Sequence, residues 1–150
     1  LWTRYSGPDH QAFNRDFPRY GMRGVVPQRG FSDTFPYWGF QKATADDLDG
    51  LINYTLSRLN PTDTATIVAA MQNVDAEQQW GVWGAGPAMA PGSKNGWSQE
   101  QGGWVINSVG FAGPRQRYTL AIMNALDGEG GYDDGVQTTT HLAELLLAPA

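Results

Sequence analysis

The sequence predicts an α+β chain (α/β in the broad sense): a helical, loop-rich first part, then an antiparallel sheet covered by a terminal helix. Three observations predict it. Between Ala88 and Asn124, three segments rich in β-branched and aromatic residues are separated by Gly, Pro and Ser punctuation, the pattern of strands joined by hairpins. Upstream, Leu48, Leu51, Ile52, Leu56 and Leu59 recur at helical spacing behind a capping threonine. Downstream, Val136, Thr140, Ala143 and Leu147 form one helical stripe, with Leu142 and Leu146 beside it. The 150 residues are the size of one domain or a large part of one, with residues 1–87 forming the helix-and-loop lobe and 88–150 the strands and last helix.

In chain order, Leu1 to Arg29 is broken by Pro8, Pro18 and Pro27, leaving room for one short helix from Asp9 to Phe17. Residues 27–43 read as a loop studded with Phe31, Phe35, Tyr37, Trp38 and Phe40, which must be pinned on the body or form a recognition edge. Thr44-Ala45-Asp46-Asp47 opens a helix, with acids in the first turn where the helix dipole favours them. Asn60-Pro61 opens the next helix, whose buried face is Ile67, Val68 and Met71. Glu77 to Pro91 reads as a glycine-rich aromatic link. Its glycines lack the spacing of a phosphate-binding loop. The strands follow, and the last helix is expected over residues 133–147.

Composition narrows the function classes. A net charge of −5, with the five arginines of residues 1–30 spread singly, argues against nucleic acid as a partner. No apolar run approaches membrane-spanning length. The absence of cysteine excludes disulfides and thiol nucleophiles, and with two histidines it leaves no zinc site. The acidic run Asp127 to Asp134 lacks the EF-hand spacing and reads as a turn leading into a capped helix. No metal or cofactor is expected. His10 and His141 pair with no serine and acid in a recognisable order. Asp46-Asp47 and Asp133-Asp134 are neighbours that point about 100° apart on a helix, which suits first-turn acids better than an acid/base pair.

Lys94 remains. An ammonium on a strand, with a glycine two residues later, suits an anionic ligand; a solvated lysine guarding a strand edge is the plainer reading. Its neighbourhood favours the first. Ser93-Lys94-Asn95-Gly96-Trp97, then Trp104-Val105-Ile106-Asn107-Ser108-Val109-Gly110, then Arg117-Tyr118-Thr119-Leu120-Ala121-Ile122-Met123 and a terminal helix, resembles the C-terminal part of class A β-lactamases and penicillin-binding serine hydrolases. The likeness covers residues 40–150 best.

The resemblance implies a β-lactamase/transpeptidase-like fold, a secreted or cell-envelope location, and a β-lactam or cell-wall peptide as ligand. Carried over by position, Lys94 would bind the ligand's carboxylate and polarise a serine of the second motif. Asn95 stands where Thr or Ser usually contacts that carboxylate, Gly96 would admit the ligand to the backbone, and Trp97 N–H would be one of two oxyanion-hole donors. The departures are equally informative. Only Lys42 and Lys94 are present, preceded three residues earlier by Gly39 and Pro91, so no Ser-x-x-Lys nucleophile motif occurs. Ser32-Asp33-Thr34 echoes the second motif but lies too close to Lys94 and ends in Thr. No glutamate precedes Glu77 to direct a deacylating water. The expectation is therefore a partial domain, inactive by itself, whose nucleophile lies upstream in a longer protein. The alternative is a non-catalytic wall-binding relative that uses Trp80, Trp83, Trp97 and Trp104 for apolar and stacking contacts.

Overall fold

The computed structural model of the chain describes residues 15–24, 42–100 and 102–147. The expected Asp9–Phe17 helix, apart from its last residues, and the aromatic stretch up to residue 41 lie outside them. Within the first piece, Phe17–Tyr20 is a single 3-10 turn with Pro18 near its start, closed by Gly21 at φ +89°.

Helix α1 (Ala45–Arg58) starts where the sequence places it, for the expected reason. Thr44 Oγ1 accepts the Asp47 N–H (3.1 Å), while the Asp47 carboxylate accepts the Thr44 N–H (2.9 Å) and Thr44 O–H (2.8 Å), a capping box. The other Asp47 oxygen accepts the N–H of Gly24 at 2.7 Å, so the cap also ties residues 15–24 to the helix. Phe17 and Met22 are buried there against Ala43, Leu48 and Leu51. Gly21 and Gly50 let the two backbones meet: a Cβ on either would stand within 2.6 Å of the other's carbonyl oxygen. Helix α2 (Pro61–Gln72) has Asn60 as its cap, accepting the Asp63 N–H at 2.9 Å.

Strands β1 (Gly92–Glu100), β2 (Gly103–Ala112) and β3 (Tyr118–Ala125) form an antiparallel sheet in sequence order. Lys94 stands opposite Val109, and Val109 opposite Ala121, which fixes the two faces. One face packs on α1 and α2: Phe111 is wholly buried with Ile52 and Met71, flanked by Leu56, Ile67, Val68 and Val109. Thr119 on that face donates its O–H to Asp49 of α1 at 2.7 Å.

The other face carries Ile106, Ser108 and Ile122 and is covered by helix α3 (Tyr132–Leu147). Here two expectations give way. The buried stripe of α3 is Gly135, Thr139 and Ala143, whereas Leu142, Leu145 and Leu146 are exposed. Close approach is the reason: a Cβ on Gly135 would lie 2.3 Å from Ile106, so small residues face the sheet. The middle of the expected link from Glu77 to Pro91 packs into the interior rather than only connecting. The link coils through 3-10 turns at Ala76–Gln78, Gly81–Ala85 and Pro87–Met89, and buries Trp80, Val82 and Ala85 where it packs against both β2 and α3. Gly84 meets the α3 backbone directly, since a Cβ there would stand 2.1 Å from the Thr140 carbonyl.

Candidate functional site at the edge of the first strand

Period-two alternation along β1 separates the residues that the sequence groups together. Ser93 and Asn95 point to the buried α3 side, while Lys94 and Gly96 point to the α1/α2 side and are exposed. A methyl group on Gly96 would meet nothing within 4 Å, so the strand is open to a ligand at that point. Lys94 Nζ donates to the carbonyl oxygen of Asn95.

That contact helps orient the backbone. The N–H and C=O of one strand residue point to the same side, alternately toward and away from the partner strand. Gly92 turns its carbonyl toward β2, where a Cβ on Gly110 would stand 2.0 Å from it. The Asn95 carbonyl, three residues on, turns the other way, to Lys94 Nζ. By the same alternation Trp97 directs its N–H away from β2, at an edge that carries no further strand among the described residues. Lys94 Nζ, the space before Gly96 and the Trp97 N–H thus line one strand edge.

Asn95 does not join them. It is 3% exposed, and its amide is bound on every side within the fold. Nδ2 donates to the carbonyls of Gln78 (2.8 Å) and Trp80 (3.4 Å), and Oδ1 accepts from Ser108 Oγ at 2.7 Å. Ser108 Oγ in turn accepts the Val82 N–H at 3.1 Å, and Thr140 Oγ1 accepts the Gly81 N–H at 2.9 Å. The expected carboxylate contact is instead a clamp holding the 3-10 layer to β1 and β2. The sequence signal for this network was a serine at 108 within a mostly apolar strand; the structure shows it wholly buried, where its hydroxyl needs partners.

The tryptophans divide as well. Trp80, Trp97 and Trp104 gather around Tyr132, with ring centroids at 6.4, 5.8 and 5.7 Å from it, and Trp80 lies 6.0 Å from Trp97. Trp80 is buried, whereas Trp97 is 44% exposed. The indole N–H of Trp83 is buried without a hydrogen-bond partner. Beside Trp97 a cavity of about 300 Å³ is lined by Asp75, Glu77, Gln78, Trp97 and Tyr132.

The remaining titratable candidates have structural surroundings. Burial pushes the Asp47 carboxyl up, but hydrogen bonds from the Thr44 N–H, the Gly24 N–H and the Thr44 hydroxyl outweigh it and hold the group below its ordinary value. Asp134 accepts the Gly131 N–H at 2.7 Å at the start of α3, as a first-turn acid should. His141 is exposed and faces Glu144 at 3.3 Å. His10 and Ser32-Asp33-Thr34 lie outside the described residues. Among the described residues no group of His, Cys, Asp and Glu is arranged to hold a metal, and no helix is long and apolar enough to cross a membrane. No family model, curated protein or solved structure matches this chain.

Proposed function

We propose that the chain is part of a cell-envelope serine hydrolase of the β-lactamase or penicillin-binding type, supplying the ligand-binding strand of the site while the nucleophile comes from elsewhere in a longer protein. One observation carries the reading: Lys94, the open space at Gly96 and the outward N–H of Trp97 share a single strand edge. On that edge an acyl donor bearing a carboxylate lies alongside β1, its carboxylate on the Lys94 ammonium. As a serine oxygen adds to the carbonyl carbon, negative charge develops on the carbonyl oxygen, and the Trp97 N–H is placed to stabilise it as one of two donors. With Asn95 engaged in the fold, recognition of the carboxylate from this strand falls on Lys94. Residues 1–76, which include the aromatic loop where the resemblance would place a water-activating glutamate, contain none, so the acyl-enzyme is expected to persist, giving penicillin binding rather than rapid hydrolysis.

The test is labelling of the complete protein with a fluorescent penicillin. Replacing Lys94 by Ala removes one charge-assisted contact and should slow labelling about 10- to 100-fold. Labelling at the unaltered rate would remove Lys94 from the site.

A second reading, a non-catalytic module that binds wall peptide or glycopeptide, is favoured by the half-exposed Trp97 set on the Trp80–Tyr132–Trp104 cluster. It predicts saturable binding of peptidoglycan fragments with no covalent adduct.

A further inference from the structure

We propose that the cavity between the Asp75–Gln78 turn and the Trp97–Tyr132 ring pair binds a small organic cation, an alkylammonium group on a flexible stem. The inference is independent of the acyl-transfer reading. Two kinds of wall face each other across about 300 Å³. One is aromatic. Trp97 lies 5.8 Å from Tyr132 at 68° and 6.0 Å from the buried Trp80, so its exposed indole is already held by neighbouring rings. An ordered ring offers cation–π attraction without an ordering cost at binding.

The other wall is acidic. Asp75 and Glu77 are exposed, and neither carboxylate has an ion-pair or hydrogen-bonding partner among the described residues. A part-buried bond sets the two walls in register. Asn95, on the same face of β1 as Trp97 and two residues before it, donates its amide to the Gln78 carbonyl at 2.8 Å. The Gln78 N–H donates to the Asp75 carbonyl at 2.8 Å, which fixes the turn that carries the acids. Aromatic faces and unpaired carboxylates around one cavity complement a cation with an apolar stem. An anion meets repulsion there, and a neutral chain gains only the apolar contact.

The experiment is a titration of the ¹⁵N-labelled protein, following the Trp97 indole N–H signal assigned with Trp97→Phe. The probes are Nα-acetyl-lysine methylamide and its uncharged counterpart, Nα-acetyl-norleucine methylamide. The expected result is a saturable shift with the lysine compound only, weakened at high salt. The Asp75→Asn/Glu77→Gln double variant, which keeps shape at exposed positions, should raise Kd about fivefold. An equal response to norleucine, no saturable response to lysine, or an unchanged Kd in the double variant would overturn the proposal.

Discussion

Removing a single hydroxyl at Ser108 tests whether the inner 3-10 layer is held as described. The side chain is wholly buried, donates to Asn95 Oδ1 at 2.7 Å and accepts the Val82 N–H at 3.1 Å. Ser108→Ala leaves an amide oxygen and a backbone N–H without their partner in a site closed to bulk water. Each such loss costs about 1–3 kcal/mol, and Asn95 keeps its two donor bonds, so a total of about 2–4 kcal/mol is expected. For a domain of this size that is a fall in Tm of roughly 5–15 °C. The assay is thermal and urea unfolding of wild type, Ser108→Ala, Asn95→Ala and the double variant. The double variant should lose about 1 kcal/mol or more less than the sum of the single losses, because both remove the same bond. A Tm within a degree or two of wild type for Ser108→Ala, or strict additivity in the cycle, would refute the reasoning.

Other predictions follow from the same contacts. Asp47→Asn should destabilise by about 1–2 kcal/mol at neutral pH, since it weakens three hydrogen bonds to a carboxylate that is 2% exposed. Because the folded-state pKa of Asp47 is depressed, its contribution is full above the unfolded value of about 3.9 and is lost as pH falls through that value toward the folded one. Unfolding curves of wild type and variant should therefore converge at acid pH, and a constant gap would show that the charge is irrelevant. Gly84→Ala forces a methyl to within 2.1 Å of the Thr140 carbonyl and should cost about 3 kcal/mol, read as a lowered urea midpoint. Lys94→Ala changes an exposed side chain and should leave Tm within about 2 °C while slowing penicillin labelling; a large fall in Tm would make Lys94 structural.

What could be read from the sequence was what local chemistry decides. The capping box at Thr44 and Asp47, the Asn60-Pro61 start of α2 and the three punctuated strands are each set by residues a few positions apart, and each lies where expected. What could not be read depends on contacts distant in the chain. Gly81 and Gly84 look like linker glycines. They are required because Ser108 and Thr140, far along the sequence, leave no room for a side chain. The stripe of α3 was displaced from Val136 and Thr140 to Gly135 and Thr139 because close approach to Ile106 favours small residues over large apolar ones. Asn95 illustrates the same point at the candidate site. Its motif position suggested a ligand contact, but adjacent strand residues face opposite ways, and the layer on its face supplied partners for the whole amide. The cavity beside Trp97 joins residues from the Asp75–Gln78 turn, β1 and α3, whose proximity no local pattern announces.

The most direct test of the proposed function is the intact mass of the complete protein before and after incubation with a β-lactam. The account predicts a stable gain equal to one drug molecule, slowed by Lys94→Ala. No gain from a folded protein would contradict the serine-hydrolase reading and leave the aromatic face beside Trp97 as a binding surface without chemistry. A drug consumed many times over with no persisting adduct would contradict the predicted slow deacylation.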